Sequence, residues 1–295
     1  MTHNSIIHIL ITATVFRWWF ITQIVEILSI GDELLTGLVQ NTNSEWLSKK
    51  ITGIGGVISR ITTVGDDVRE ISSAICECLE REIDCLIISG GLGPTPDDKT
   101  LEGISFALGS KLELSEKAIE MIRKSYERLS VEYQLNEVRL KMAMIPKGSM
   151  PIQNTVGIAP AVLIEVKSRY RSSIRIFCLP GVPLELKKIF LDFVIPILKK
   201  HTSTRFHVIK TTSEIVGVGE SLLTPILLKI KNSNLPQSSI YVKTHPKGYT
   251  SDHKPKLIIQ IVSKGQDRKK VRARYQETFN LLMDEINRLN GKVVA

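Results

Sequence analysis

Short apolar runs alternate with amphipathic segments over the first two thirds of the chain. Three runs rich in β-branched and aliphatic residues predict strands, at Ile24–Ile30, Val57–Val64 and Asp84–Ser89. Two segments with apolar residues at helical spacing lie between them, at Thr42–Ile54 and Asp67–Glu82. This β-α-β-α-β order predicts an α/β fold with a doubly wound, mostly parallel sheet and right-handed crossovers.

Further segments complete this domain and begin a second one. The pattern predicts helices at Asp98–Leu108, Ser115–Ser130 and Pro183–Lys199, strands at Ala161–Val166 and Ile174–Leu179, and an irregular stretch from Pro146 to Asn154. The last third has a β-α-β-β-α order: Phe206–Thr211, Gly219–Ile230, Ser239–Val242, Lys256–Val262 and Arg268–Leu289. The chain therefore divides into an N-terminal extension (residues 1–23), an α/β domain (24–200) and a small α+β domain (201–295).

Charge is distributed unevenly between the two domains. The 295 residues include 39 lysines and arginines and 30 aspartates and glutamates, a formal net charge of +9. Residues 199–295 hold 18 basic and 7 acidic residues, a balance of +11, whereas residues 1–198 hold 21 basic and 23 acidic residues, a balance of −2. The basic character therefore belongs to the second domain, whereas the first domain is slightly acidic.

The N-terminus and the cysteines bear on the compartment. Residues 5–16 are largely apolar but interrupted by polar residues and followed by Arg17, so we interpret residues 1–23 as an extension. A membrane-surface anchor through Trp18 and Trp19 is the alternative. No run of about 20 apolar residues recurs, which excludes a multi-span membrane protein. The four cysteines and six histidines form neither CxxC nor HExxH, so we expect no disulfide, no zinc site and a cytoplasmic location.

Glycines and carboxylates follow the predicted strands of the first domain. The segments after the strands are Gly31-Asp32-Glu33, Gly65-Asp66-Asp67, Gly90 to Thr100, and Pro180-Gly181-Val182-Pro183. Ligands of open α/β sheets bind at the carboxyl ends of the strands, so we expect these segments to form one site. Taken singly, the acids also suit helix starts, with Asp32 and Glu33 in a first turn and Asp67 as an N-cap.

The segment from Gly90 to Thr100 carries the strongest chemical pattern. Its glycines, Gly90, Gly91 and Gly93, allow the backbone to approach a phosphate, and the next helix offers its N-terminus. It is not a Walker A loop, because Asp98 stands where the second glycine belongs. A carboxylate beside a phosphate requires a metal ion or a hydroxyl donor, such as ribose or a pterin, between them. The alternative interpretation is a tight turn with Asp98 as a helix N-cap.

These segments together resemble a known family. The resemblance rests on IGDELL from Ile30, NTN from Asn41, VGD from Val64, GGLGPT from Gly90, Asp98, NTVG from Asn154, Ala159-Pro160 and LPGVP from Leu179. The chain resembles the N-terminal region of the CinA family, a MoaB/Mog-type molybdopterin-binding domain followed by a small KH-like domain, from about Ile24 to Asn290. Bacterial members carry a further domain that deamidates nicotinamide mononucleotide; because this sequence ends before it, we expect no such activity here.

The resemblance implies chemistry on a phosphate anhydride. Its main implication is hydrolysis of ADP-ribose to AMP and ribose 5-phosphate with a divalent metal (Mg²⁺, Mn²⁺ or Co²⁺), aided by potassium. The alternative is molybdopterin binding or adenylyl transfer in molybdenum-cofactor biosynthesis. The resemblance suggests catalytic roles for Asp98, Asp66 and Lys99, metal contacts for Asp32, Glu33 and Asp98, and phosphate or ligand contacts for Gly31, Asn43, Gly90, Gly91, Gly93, Thr95, Asn154 and Gly181.

The expected partners are a small nucleotide or pterin and further copies of the chain in a homo-oligomer. A nucleic-acid-binding module in the basic domain is a lesser alternative. It is not favoured because the domain lacks the G-x-x-G loop with which KH domains clamp the backbone. The basic cluster at residues 268–274 is interpreted instead as a solvated face or a subunit contact. A membrane partner is not expected.

Overall fold

The computed structural model describes residues 23–130, 136–170, 173–201, 207–233 and 238–294. The chain divides between Ser203 and Thr204 into two compact units. The predicted extension at residues 1–23 lies almost wholly outside the described residues. Within the described residues, no helix combines the length and apolar character that a membrane span requires.

A six-stranded, mostly parallel sheet forms the centre of the first unit. Its strands are β1 (Ile24–Ile30), β2 (Val57–Val64), β3 (Cys85–Ser89), β6 (Met150–Ile152), β7 (Ala161–Val166) and β8 (Ile174–Leu179). The spatial order is β2-β1-β3-β8-β7-β6. The pairs among β2, β1, β3 and β8 are parallel, whereas β7 is antiparallel to both of its neighbours. The α/β prediction is confirmed, and the carboxyl ends of four strands meet at one edge.

The helices of this unit connect and cover the sheet. They are α1 (Asp32–Leu35), α2 (Thr42–Gly53), α3 (Val68–Leu79), α4 (Thr100–Leu108), α5 (Glu116–Arg128), α6 (Glu137–Lys141), α7 (Pro183–Ile189) and α8 (Ile195–His201). One π-helical turn, Phe190–Val194, joins α7 to α8 where the sequence predicted one continuous helix. Asp67 and Ser115 cap α3 and α5, each accepting backbone N–H groups of the first turn.

Both faces of the central sheet are buried. Successive residues of β1 and β3 point to opposite sides, so that Leu28 and Leu86 join one core cluster while Ile27 and Ile87 join the other. This two-sided burial explains why the strands are apolar without alternation. The small strands β4 (Leu112–Leu114), β5 (Met144–Pro146) and β6 were not predicted. Each has only three residues, too few to show a period, and β6 replaces part of the expected irregular stretch.

The second unit is a four-stranded antiparallel sheet with two helices. Its elements are β9 (His207–Val216), α9 (Glu220–Asn232), β10 (Ser238–Tyr249), β11 (Pro255–Gly265), α10 (Arg268–Arg288) and β12 (Lys292–Val293). The strand order is β10-β11-β9-β12. The predicted order of elements is correct as far as α10, and the short strand β12 was not predicted. Strands β9, β10 and β11 extend well beyond the predicted ends, because polar residues alternate with apolar ones along them.

One charged side chain lies inside the first sheet. Glu26 on β1 is 2 % exposed and accepts hydrogen bonds from the Arg81 guanidinium at 2.8 Å and 2.7 Å. The thiol of Cys78 donates to the same carboxylate, as does the Ser59 hydroxyl. Burial raises the pKa of Glu26, but these donors and the Arg81 charge outweigh it and hold the pKa below its usual range. Glu26 therefore stays charged inside the sheet because it is paired with Arg81.

We expect Arg81→Met to lower the free energy of unfolding by about 3 kcal/mol at pH 7, since it leaves a buried carboxylate without its cation. A depressed carboxyl pKa stabilises the fold above the unfolded pKa and loses that effect as the pH falls through the folded pKa. Without Arg81, burial dominates and the pKa is raised. The defect of the variant, measured by urea unfolding, should then be smaller at pH 5 than at pH 7.

The control is Lys124→Met, which removes an exposed ion pair with Glu120. It should change the free energy of unfolding by less than about 1 kcal/mol at either pH. An Arg81→Met defect equal to that of the control, or independent of pH, would contradict the role of the buried pair.

Candidate functional site

The carboxyl ends of β1, β2, β3 and β8 surround one cavity of about 640 Å³. Hydrogen bonds join the strand ends: Gly31 N donates to Val64 O at 3.1 Å, and Gly90 N donates to Leu179 O at 3.0 Å. Most of the predicted site residues line this cavity, namely Gly31, Glu33, Asn43, Asp66, Gly90, Gly91, Gly93, Asp98 and Gly181. Asp32, Thr95, Lys99 and Asn154 do not line it.

Gly90 and Gly91 turn the chain from β3 into the loop at positive φ, 109° and 65°. A Cβ at Gly90 would lie 2.2 Å from the backbone oxygen of Ile30, and one at Gly91 would lie 2.3 Å from the Thr100 hydroxyl. The buried Thr100 hydroxyl donates to Gly90 O at 2.7 Å, and Thr100 N donates to Gly91 O at 3.2 Å. The first turn of α4 therefore closes directly on these glycines, and no side chain fits between them.

The loop exposes backbone donors to the cavity. The N–H groups of Gly91, Leu92 and Gly93 make no hydrogen bond within the described part of the chain, and all three residues line the cavity. The nine-residue helix α4 begins at Thr100, so its N-terminus adds a positive dipole end nearby. Free N–H groups at a helix N-terminus are a binding arrangement for a phosphate.

Asp98 shapes this loop, and it is not the helix N-cap of the alternative interpretation. Its Oδ2 accepts from the backbone N–H of Thr95 at 2.8 Å and from the Thr95 hydroxyl at 2.6 Å. The N-cap position belongs to Lys99, which makes no side-chain cap. Thr95 was expected to contact the ligand, but its hydroxyl donates a hydrogen bond to Asp98 instead. Gly93 lies against the same carboxylate, where a Cβ would be 2.6 Å from Asp98 Oδ2.

Asp32 and Asp66 bind each other's backbone. Asp32 N donates to Asp66 Oδ2 at 2.9 Å, and Asp66 N donates to Asp32 Oδ1 at 3.2 Å. Partial burial raises the pKa of Asp66, and the negative charges of Asp32, Glu33 and Asp97 raise it further. The hydrogen bond from Asp32 N lowers it, but the net shift is upward. Asp97 lines the cavity and was not among the predicted site residues. Repulsion among these acids favours a cation or a hydrogen-bond donor in their midst.

The predicted metal set of Asp32, Glu33 and Asp98 is not assembled as proposed. Within the described residues, no group of three or more acids, histidines or cysteines is close enough to hold a metal ion. The Asp32 carboxylate is engaged by Asp66 N, and that of Asp98 is engaged by Thr95. Of the other acids that line the cavity, the side chains of Glu33 and Asp97 accept no hydrogen bond within the described residues, and that of Asp66 accepts one, at Oδ2, from Asp32 N.

The two predicted asparagines have different surroundings. Asn43 donates through Nδ2 to Gly181 O at 2.7 Å and to Ser89 Oγ at 3.2 Å, and so joins α2 to the ends of β3 and β8. Its Oδ1 is buried without a hydrogen-bond partner in the described residues, although Asn43 lines the cavity. An acceptor in that position suits a ligand donor.

Asn154 is fully buried, which corrects its predicted role as a ligand contact. Its Oδ1 accepts from the N–H groups of Val156 and Gly157, and its Nδ2 donates to Ala159 O and to Glu185 Oε2. Every polar atom of the side chain is therefore used inside the protein. Asn154 holds the loop of Gly157, Ile158 and Ala159, which itself lines the cavity.

Comparisons with known proteins agree with this geometry. Residues 26–200 match the family model described as a probable molybdopterin binding domain. The crystal structure of CinA from Thermoplasma acidophilum, a protein of unknown function, is 35 % identical, with a TM-score of 0.54; the match covers 99 % of that chain and 60 % of this one. The chain belongs to the CinA family.

Relatives of this CinA-family chain match along both units. A protein of Sulfurisphaera tokodaii is 37 % identical over 269 residues, covering 91 % of this chain and 97 % of its own length. A protein of Saccharolobus solfataricus is 36 % identical over 274 residues, covering 93 % and 94 %. The similarity therefore extends beyond the matched domain into the basic second unit.

Sequence reasoning missed one wall of the CinA-family cavity and one cation. The wall is apolar and aromatic, formed by Leu34, Val39, Tyr126, Leu129, Met142 and Ile158, beside Val182 of the predicted segment Pro180-Gly181-Val182-Pro183. The cation is Lys141 on α6, whose Nζ donates to Thr95 O beside the glycine loop. Lys99, the predicted cation, faces Asp67 closely enough to lower the pKa of that carboxyl, after the larger effect of the Glu70 and Arg69 N–H groups. No local pattern in the sequence predicts that Tyr126, Met142 and Ile158 lie beside strand ends that are distant from them along the chain.

We expect Gly90→Ala to lower the free energy of unfolding by about 3 kcal/mol, because the added methyl group overlaps the Ile30 carbonyl. Gly37→Ala is the matched control, since Gly37 also has positive φ, 74°, but nothing within 4 Å of its Cβ. It should cost only about 1 kcal/mol. Thermal and urea unfolding measure both variants, and equal losses would contradict the close approach at Gly90.

Proposed function

We propose that the cavity of the first unit binds a phosphorylated pterin of the molybdopterin type. The observation that carries this proposal is the pairing of two unlike walls in one cavity. One wall offers the N–H groups of Gly91, Leu92 and Gly93, and the other offers the ring of Tyr126 among aliphatic side chains. A volume of about 640 Å³ suits a ligand of this size. Membership of a family described as probable molybdopterin-binding domains supports the same ligand class.

Each wall has a defined task in this proposal. The loop donors take the phosphate, and the nearby α4 N-terminus adds its positive dipole end. Tyr126, Ile158 and Val182 pack against the flat ring system. Asp66 and Asp97 accept hydrogen bonds from ring N–H and amino groups, which carboxylates do with more strength than neutral acceptors.

A divalent cation fits the acids of the cavity. Asp66 and Asp97 supply hard oxygen ligands of the kind that Mg²⁺ prefers, and Mg²⁺ commonly uses only one or two carboxylates together with ligand phosphates. Such an ion would offset the charge between the acids and a phosphate. We assign it to Asp66 and Asp97, in place of the set of Asp32, Glu33 and Asp98.

The expected result of a pterin titration is saturable binding to the full chain. The probe is phosphorylated 6-hydroxymethylpterin, followed by its own fluorescence anisotropy with and without Mg²⁺. Asp97→Asn removes one charged acceptor and should weaken binding by about 10- to 100-fold. Tyr126→Ala should weaken it further by removing the packed ring. The control Asp284→Asn removes an exposed acid of the second unit and should leave the affinity unchanged.

A wild-type chain that melts normally but gives no anisotropy change at millimolar protein concentration would refute pterin binding. The same holds if Asp97→Asn and Asp284→Asn behave alike while Tyr126→Ala binds as well as the wild type.

A second candidate function is hydrolysis of ADP-ribose to AMP and ribose 5-phosphate. The observation in its favour is the group of acids around Asp66, since carboxylates beside a phosphate loop suit metal-assisted attack on an anhydride. Adenylyl transfer to a pterin would use the same loop and the same acids. In both reactions the loop N–H groups would stabilise the charge that develops on the phosphate.

We expect AMP release from ADP-ribose with Mg²⁺, Mn²⁺ or Co²⁺, measured by chromatography, with potassium present. Asp66→Asn should lower the rate by at least about 100-fold if Asp66 holds the ion or the nucleophile. The Asp284→Asn control should retain the wild-type rate. Folded wild-type protein that leaves ADP-ribose intact with all three metals would exclude this activity without affecting the pterin proposal. The homo-oligomer and the cytoplasmic location stay predictions.

A further inference from the structure

The second unit presents one face of its sheet to solvent. Along β11 the residues Leu257, Ile259 and Ile261 are buried under the two helices, and their neighbours point the other way. We call this other side the open face. It is formed by Val208, Lys210, Thr212, Glu214 and Val216 of β9, Tyr241, Lys243 and His245 of β10, and Lys256, Ile258, Gln260, Val262 and Lys264 of β11.

The strand register arranges these side chains in rows across the open face. Val262 of the middle strand lies between Lys210 and Tyr241. The next row along β11 is Thr212, Gln260 and Lys243. Lys210 therefore lies on the β9 side of the row that contains Tyr241, and Lys243 lies on the β10 side of the neighbouring row. Directly opposite residues of adjacent strands are about 5 Å apart. Tyr241 is 56 % exposed, which is unusual for a large aromatic ring without a contact to make.

The charge of the open face is strongly positive. The acidic residue of the open face is Glu214, whose carboxylate pairs with Lys256 at 2.9 Å. Lys210, Lys243 and Lys264 are exposed and have no ion pair within the described part of the chain. The face therefore accounts for an unneutralised part of the +11 balance of residues 199–295.

A basic cavity continues this surface at one end of the sheet. It has a volume of about 300 Å³ and is lined by His207, Val208, Ile209, Arg268, Val271 and Arg272. Val208 belongs to both the cavity and the open face. Neither Arg268 nor Arg272 has an ion pair in the described residues. The positive surface therefore extends from the middle of the sheet to the start of α10.

We propose that the open face binds single-stranded nucleic acid. A base stacks on the Tyr241 ring, and the lysines and arginines contact the phosphates on either side. Thr212, Gln260 and His245 provide hydrogen-bonding groups for base edges or sugar hydroxyls. A sheet face of this kind suits unstacked bases, which lie flat on it, more than a duplex, whose bases are hidden inside a groove. An acidic protein would satisfy the lysines but leaves the exposed aromatic ring in their midst unexplained.

The test measures binding of a fluorescein-labelled 12-nucleotide RNA, the matching DNA strand and the DNA duplex to the full chain by anisotropy. We expect both single strands to bind more tightly than the duplex, with affinity falling as salt rises. Tyr241→Ala should weaken binding by about 5- to 150-fold, whereas Tyr241→Phe, which keeps the ring, should bind as the wild type does. Thermal melting confirms that each variant is folded.

A matched pair of triple variants separates this face from net charge. Lys210→Gln, Lys243→Gln and Lys264→Gln together should lower the slope of log affinity against log salt by about 2. Lys111→Gln, Lys117→Gln and Lys229→Gln remove the same charge from exposed positions outside the open face and the basic cavity, and should change little. Equal losses in the two triples, full binding by Tyr241→Ala, or displacement by polyglutamate as effective as by oligonucleotide would overturn the proposal.

Discussion

The approach of Gly90 to the Ile30 carbonyl is the constraint on which the site of the first unit depends. Parallel strands of similar length end at one edge, and there the chain leaving β3 crosses directly over the end of β1. Only a residue without a Cβ allows that crossing, because the gap measures 2.2 Å from an ideal Cβ to the oxygen. The Thr100 hydroxyl then fastens the start of α4 to the same peptide. Loop donors and acids reach one cavity because this crossing is so tight.

Electrostatic balance is the second requirement of the site. Five acids stand near a loop whose N–H groups suit an anion, so the cavity combines attraction and repulsion for a phosphate. The protein satisfies two of the acids internally, Asp32 through the N–H of Asp66 and Asp98 through Thr95. The other three, Glu33, Asp66 and Asp97, line the cavity. A ligand that brings hydrogen-bond donors or a cation with its phosphate relieves the repulsion, whereas bare phosphate does not.

The sequence predicted the parallel strands and the strand-end glycines well, since both depend on local patterns. The bounds of β1, β2, β7 and β8 agree with the prediction because each is rich in β-branched or aliphatic residues and is followed by a glycine, a proline or a polar turn. The roles of Asn154 and Lys141 could not be read in this way. Both depend on partners that only the folded chain brings near, Glu185 for one and Thr95 for the other. The open face was also missed, because the predicted strands ended before Lys243 and Lys264.

The Asn154 network has a consequence for how ligand preference can change among relatives. Asn154 holds both ends of the short loop of Val156 to Ala159 and ties it to α7 through Glu185. The backbone of the loop is therefore fixed by Asn154, and the side chain of Ile158, which lines the cavity, can vary in size while the backbone stays in place. Substitutions at this position can thus reshape one wall of the cavity independently of the sheet edge that carries the glycine loop. In the proposed function, recognition of the ring and recognition of the phosphate are then separately evolvable parts of one pocket.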